Sequence, residues 1–423
     1  MTDKIFCVTE YGAKSDGTLC TESIQRAIDE CFLNGGGEVT VPAGHFLTGS
    51  IRLRSGITLH LLENAVLLGS TDPEDYFGYL TDTVEPISRE EREAKAPTAL
   101  PEADGASVYP FSRWNNAIIR AYRAKNIAII GEEGSEINGQ NCYDSEGEEH
   151  YRGPHAIGMW YCENITLRGY TVRDSANWAH AIQNSQNITV KGITVLAGHD
   201  GFDVRTCDRI RVEDSTFITG DDCIAGFDNV DVTVRGCYFE SACSILRFGG
   251  TDVLVENCVG KAPATYGFRG HLSAEEKKNR VPTTEKCRHS CHNVLLYYCD
   301  MRASIRKTPG NILIRNSRFQ NPDAVMRLPF GHIWCRNRSL HDVTFENCVI
   351  DGVYIPITVT APEAEPLTLV MRDCAITPRE GHEDMAFLEG KNMARVVLER
   401  VNTAAFRDPR INTEPTAEII MKK

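Results

Sequence analysis

The sequence predicts an all-β chain wound as a single-stranded right-handed parallel β-helix, a β-solenoid closed by an N-terminal capping helix. Three observations predict it: an internal repeat of one coil's length, period-2 alternation within each repeat, and one amphipathic helix placed before the first coil. The repeat comes first. Asn164-Ile165-Thr166-Leu167, Asn187-Ile188-Thr189-Val190, Arg209-Ile210-Arg211-Val212, Asp231-Val232-Thr233-Val234 and Asp252-Val253-Leu254-Val255 all read polar, apolar, polar, apolar, and their first apolar residues lie 23, 22, 22 and 21 positions apart. Such a period is one turn of a solenoid. The pattern returns at Val294, Ile312 and Val343 with spacings of 41, 18 and 31 residues, which implies outward insertions, and it is visible upstream at Asn126-Ile127-Ala128-Ile129.

Alternation puts every second side chain into a common core. One coil cannot enclose that inner face alone, whereas coils stacked about 4.8 Å apart can. The helix is read from Thr21 as N-cap, with Ile24, Ala27, Ile28, Cys31 and Phe32 on one apolar face and Asn34-Gly35-Gly36-Gly37 as its end. It would cover a sheet edge that is otherwise exposed. The whole chain, residues 1–423, reads as one domain, with a cap over about residues 1–50. Two polar, irregular insertions, about 73–112 and 270–292, have the length of loops that wall a binding cleft.

Composition narrows the partners. Lys plus Arg number 45 against 58 Asp plus Glu, a formal charge of −13, so the basic surface that holds nucleic acid is missing. With 42% hydrophobic and 24% charged residues the chain is of the globular class. No segment reaches the roughly 18 apolar residues of a membrane helix. The start Met1-Thr2-Asp3-Lys4-Ile5-Phe6-Cys7 lacks an export pattern, so the expected location is cytoplasmic and the 16 cysteines are expected to be free, mostly buried thiols. No glycine-rich phosphate loop precedes a helix, so no cofactor is expected.

Aligning the coils on Ile165, Ile188, Ile210, Val232, Val253, Val294, Ile312 and Val343 places Tyr170, Ile193, Ser215, Cys237, Cys258, Cys299, Ser317 and Cys348 in one inward column five residues on. Twelve residues on, Asn177, Asp200, Asp222 and Ser244 align, and one position earlier Ala176, His199, Asp221 and Cys243. Asp200 and Asp222 then sit on neighbouring coils about 4.8 Å apart, with Asp221 beside them if the turn at Gly220 lets both neighbours face outward. Clustered carboxylates raise one another's pKa, which supplies the protonated acid and ionised base of glycoside hydrolysis. Two other readings fit the same spacing: aspartates at ordinary solenoid turns, as Asp208, Asp214 and Asp228 are expected to be, and a Ca²⁺ site.

Here the residues resemble a known family. Gly198-His199-Asp200-Gly201-Phe202-Asp203-Val204 and Ile218-Thr219-Gly220-Asp221-Asp222-Cys223-Ile224-Ala225 are similar to the Asn-Thr-Asp-Gly and Gly-Asp-Asp-Cys-Ile-Ala signatures of family 28 glycoside hydrolases, the polygalacturonases and rhamnogalacturonases. Tyr11-Gly12-Ala13-Lys14-Ser15-Asp16-Gly17, Val41-Pro42-Ala43-Gly44 and Gly134-Ser135-Glu136-Ile137-Asn138-Gly139-Gln140 resemble its upstream segments. The resemblance implies a right-handed β-helix that cleaves pectic bonds with inversion, with Asp221 as general acid and Asp200 and Asp222 activating the water.

Two positions depart from the family. Its Gly-His-Gly falls at Ala242-Cys243-Ser244, and its Arg-Ile-Lys at Arg269-Gly270-His271, which keeps the arginine alone. A different sugar contacted by Arg269, His271 and Arg247, a substitute imidazole in His199, and a non-catalytic binder are the three readings of this change. Trp178, ahead of the carboxylate coils beside His180, either stacks on a sugar face or fills the core. Cys287-Arg288-His289-Ser290-Cys291-His292 carries four potential zinc ligands at a spacing that suits no tetrahedral site, so no metal is expected. The sequence therefore predicts an inverting, chain-end-acting hydrolase of pectin-derived or related oligosaccharides. A Ca²⁺-dependent β-helix lyase and a carbohydrate-binding solenoid without turnover are the alternatives.

Overall fold

A computed structural model describes residues 5–76, 113–299, 305–332 and 335–422. They group into two compact units, Met1–Asp203 with Arg269–Cys287, and Val204–Phe268 with Arg288–Lys423. The fold is a right-handed parallel β-helix, and each unit is a stack of coils whose short strands pair in parallel along three faces.

In the first unit one face runs Ile5–Cys7, Gly37–Val41, Ile57–Leu61, Lys125–Gly131, Glu163–Arg168 and Gln186–Lys191. A second runs Ile51–Leu53, Ala117–Tyr122, His155–Trp160 and His180–Gln183. The third runs from Gly44–Thr48 to Thr194–Ala197. In the second unit the first face starts at Asp208–Glu213 and ends at Glu418–Lys422. The face that matters for the site carries the start of Ile224–Arg235, the start of Ser244–Glu256, Asn293–Tyr297, Ala324–Pro329, Ile357–Thr360 and Leu388–Lys391.

The register bears out most of the repeat alignment. Ile165 pairs with Ile188, Ile210 with Val232, Val232 with Val253, Val253 with Ile312 and Ile312 with Val343. Val294 is a correction: its strand pairs Asn293 with Ser244 and Leu295 with Leu246, so it belongs to the neighbouring face. Cys299 leaves the expected column with it and pairs through its backbone with Cys335 as an isolated parallel β-bridge, both thiols free, while Cys237, Cys258 and Cys348 keep their inward positions, all buried. The polar residue that opens each repeat has a physical reason. Asn126, Asn164, Asn187, Asp231, Asp252 and Asn311 all hold φ between 53° and 59°, the left-handed region that Asn and Asp tolerate best after glycine. Their side chains stack as ladders, Asn187 donating to Asn164 at 2.8 Å, Asn164 to Asn126 at 2.7 Å, and Asn311 to Asp252 at 2.8 Å.

The helix forms over Thr21–Leu33. Thr21 is its first residue and Cys20 the cap; the Thr21 hydroxyl instead accepts the Gly49 N–H at 2.7 Å. Ile24, Ala27, Ile28 and Cys31 are fully buried, while Phe32 is exposed beneath the Arg54 guanidinium. Gln25 ties the helix to the coil by bonds to both backbone groups of Arg52.

Of the insertion expected at 73–112, residues 77–112 lie outside the described residues. The insertion at 270–292 is more ordered than a polar loop: it carries a 3₁₀ turn Arg269–His271 and the short helices Ala274–Lys278 and Thr283–Lys286, the first closed by a Ser273/Glu276 capping box.

Candidate active site

In the second unit the segment Thr216–Thr219 ends in Gly220, and Asp221 and Asp222 follow before the strand Ile224–Arg235 begins. Two buried hydroxyls fix this corner. Thr219 and Ser241 each donate to the Asp221 carbonyl at 2.8 Å, and the Ser241 oxygen accepts the Cys243 N–H at 2.9 Å. The two aspartates do not both face outward, which corrects the sequence expectation: Asp221 is half-buried, whereas Asp222 is fully buried with Oδ1 accepting the Ser244 N–H at 3.0 Å. One carboxylate oxygen of each and the Cys243 Sγ still lie within 4.8 Å of one another.

Burial first, and then the charge of Asp221, push the Asp222 carboxyl up to about 7, with the Arg247 guanidinium acting in the opposite sense. Near neutral pH a proton is therefore held on Asp222, where burial and the neighbouring Asp221 charge both oppose ionisation. Arg247 approaches Asp222 Oδ2 at 3.5 Å and lies 4.2 Å over the Tyr298 ring. Cys243 is kept a neutral thiol, since burial and both aspartates raise its pKa well above the usual range. It is therefore neither a cation nor a ready nucleophile.

One coil beyond Cys243 comes His292, whose N–H bonds to the Cys243 carbonyl. Burial, with Arg288 beside it, lowers its pKa. His292 opens onto a cleft of about 260 Å³ that continues past Arg247, Asn293, Leu296 and Arg327. Sequence reading did not single out His292, Asn293 or Arg327 for this site. The signal that could have found them is the register itself, because Ser244 pairs with Asn293 and Leu296 with Arg327 once Val294 is moved to the correct face.

The other expected site residues lie in the first unit. Asp200 is buried, and its carbonyl accepts the Ala179 N–H at 2.8 Å. His199 is fully buried, and desolvation with Arg152 and Arg269 nearby holds it well below the usual histidine range, so it is neutral. Arg269 is a correction. Its side chain is 1% exposed, Nη1 donates to the Ala176 carbonyl at 2.7 Å and Nη2 to the Asn141 carbonyl at 3.0 Å, so its fork is engaged by the backbone rather than presented to a ligand. His271 is exposed on the 3₁₀ turn. Trp178 takes the core-filling alternative: it is 4% exposed and meets Trp114 edge-on at 4.6 Å, with His155 at 5.3 Å. The run Cys287–His292 does not converge on a point. His289 Nδ1 meets the Ala264 carbonyl, Cys291 Sγ the Asn293 carbonyl, and Cys287 belongs to the first unit.

With this geometry established, comparison with known proteins places it. The profile of glycosyl hydrolases family 28 matches residues 102–255, which include both aspartate signatures. A probable polygalacturonase of Vitis vinifera is 30% identical over 231 residues, 52% of this chain and 43% of that one. An exo-poly-alpha-D-galacturonosidase of Dickeya chrysanthemi is 28% identical over 252 residues, 52% of this chain and 41% of that one. The chain thus matches less than half the length of either relative. Among solved structures, an exopolygalacturonase of Thermotoga maritima superposes with a TM-score of 0.67 at 19% identity, covering 100% of this chain and 92% of that one.

Proposed function

We propose that this chain, whose residues 102–255 belong to glycosyl hydrolases family 28, is an inverting glycoside hydrolase of pectin-derived or related oligosaccharides. The observation that carries the reading is the Asp221–Asp222 pair. Two carboxyl groups, one half-exposed and one buried with a pKa near 7, form a store of one proton at the edge of a cleft. Asp221, the accessible member, gives a proton to the glycosidic oxygen, and the C–O bond breaks. A shift of the Asp222 proton to Asp221 leaves Asp222 ionised and able to take a proton from water, and attack from the opposite side with inversion is assigned from the resemblance. Asp200 receives the same water-activating role from the resemblance alone.

Chain-end attack is part of the proposal. It is supported by the name of the Dickeya relative. The cytoplasm is the proposed location because all 16 cysteines are free thiols, and 14 of them are buried, as suits a reducing compartment. Substrates there are short and imported.

The test is a panel of short pectic oligosaccharides and aryl glycosides, read for reducing ends and ultraviolet absorbance together, with and without chelator. Reducing ends without new absorbance, insensitive to chelator and released one unit at a time from a labelled chain, are the expected result. An unsaturated, absorbing product lost in chelator would establish a lyase, and binding without any product would establish a lectin-like solenoid.

A further inference from the structure

The two units finish their stacks differently. In the first, the helix Thr21–Leu33 closes the outermost coils, with its Ile24, Ala27, Ile28 and Cys31 fully buried. In the second, the outermost strand is Glu418–Lys422, which among the described residues pairs along one edge with Met393–Glu399 and along the other with nothing. This strand continues the inward columns of the repeat. Val343 pairs with Leu369, Leu369 with Val396 and Val396 with Ile419, while Phe345, Met371, Leu398 and Met421 follow one another in the neighbouring column. Every earlier member is at most 5% exposed, yet Ile419 is 44% and Met421 67% exposed. Two core positions thus lie open beside an unpaired strand edge, an arrangement that proteins otherwise cover or blunt.

The backbone limits what can add to this edge. The Lys422 carbonyl accepts the Arg400 N–H at 2.8 Å, so Glu418, Ile420 and Lys422 turn their peptide groups to the paired side, and Ile419 and Met421 turn theirs to the open side. A second copy of the strand, laid antiparallel and centred on Ile420, meets this polarity. Ile419 then stands opposite the partner's Met421 in a hydrogen-bonded pair, and Glu418 opposite the partner's Lys422 in the closer, non-hydrogen-bonded kind. Shifted by two residues either way, the pairing sets a charge against Ile420 instead. In the centred register charges alternate in sign across the seam: Arg395, which holds Glu418 at 2.6 Å, then Glu418, then the partner's Lys422, then the partner's Glu399.

We propose that Glu418–Lys422 is a dimerisation edge whose occupant is the same strand of a second copy, antiparallel about Ile420. Ile419 and Met421 seal the apolar ends of the two stacks against each other, and the charges beside them select this register over others. The contact is isologous and closes on itself. The helix over the first unit's outermost coils opposes head-to-tail growth, so assembly stops at two.

Sedimentation velocity on the full chain over a wide range of concentration, with melting curves of dilute samples beside it, tests this on wild type, Met421→Asp, Lys422→Glu and Glu418→Lys. Wild type should reach a dimer and no larger species. Met421→Asp should raise the dimer Kd by about 100-fold. Each charge variant sets two like-charged pairs across the seam and should raise it by about 10-fold, with melting close to that of wild type. Mixing Lys422→Glu with Glu418→Lys should return the Kd to near the wild-type value, because both pairs in the mixed dimer are again opposite in sign, a rescue that a folding defect cannot give. A wild type that stays monomeric at every concentration, or assembles without limit, would overturn the dimer edge. So would a dimer that these substitutions leave unchanged or that mixing fails to restore.

Discussion

Arg269 and Arg327 are each held within a unit of stacked coils, and their surroundings give them opposite uses. Arg269, in the first unit, is enclosed, its two terminal nitrogens bonded to the carbonyls of Ala176 and Asn141. Burial lowers its pKa to about 10, so it remains a cation and acts as a strut between backbone segments. Arg327, in the second unit, faces a cleft with no partner among the described residues. The histidines divide in the same way, with His199 sealed and neutral and His292 half-buried at the cleft. The lesson is that residue type and position in a motif do not identify a binding group. What identifies it is whether the backbone has already claimed its donors.

The division makes a first and largest prediction on the chemical side. Asp221→Asn should lower kcat by about 10³-fold or more with a melting temperature within a few degrees of wild type, measured on any substrate the panel reveals. A comparable loss of melting temperature would mean that Asp221 is structural and that the cleft is not set apart from the core.

On the structural side, Arg269→Ala leaves two buried carbonyls without donors and a void the size of the side chain. The expected cost is about 3–5 kcal/mol of unfolding free energy, read by denaturant titration, with little change in KM of whatever folded protein remains. A folded, stable variant with a raised KM would return Arg269 to substrate binding and break the comparison.

Asp222→Asn sharpens it through pH. The folded pKa of Asp222 is raised to about 7 from a usual value of 3.8. Its contribution to stability is therefore fully present below pH ~4 and is lost as pH rises through about 7. The asparagine does not titrate, so the variant should gain on wild type between these limits and hold a constant advantage above them, on the order of a few kcal/mol at most. Parallel melting curves at pH 5 and pH 8 check this.

The smallest expected effect comes from Arg247→Met. Removing the cation that holds Asp222 down raises the Asp222 pKa further, so the alkaline limb of the rate profile should move up by about one pH unit or less. A downward shift would mean that Arg247 does not face the pair.

Much of this architecture was legible in the sequence. The coil period and alternation gave the solenoid, and the Asn and Asp residues opening each repeat mark corners that need positive φ. Asp221 and Asp222 were legible because their signature is local, the eight unbroken residues Ile218 to Ala225. The cleft was not. Its residues come from strands separated by insertions of unequal length, and placing Val294 in the wrong face moved Asn293 and Arg327 out of view. Nor could spacing show that Asp222 is buried or that Arg269 bonds to backbone, because both depend on how a turn and an insertion pack.

The central claim, that a proton-sharing aspartate pair hydrolyses a glycosidic bond, is tested most directly by reducing-end release from trigalacturonate by wild type and Asp221→Asn across pH 5 to 8. The account predicts release by wild type that declines as pH rises through about 7, and almost none by the variant at any pH. Undiminished release by Asp221→Asn, or a wild-type rate that rises through neutrality, would contradict it.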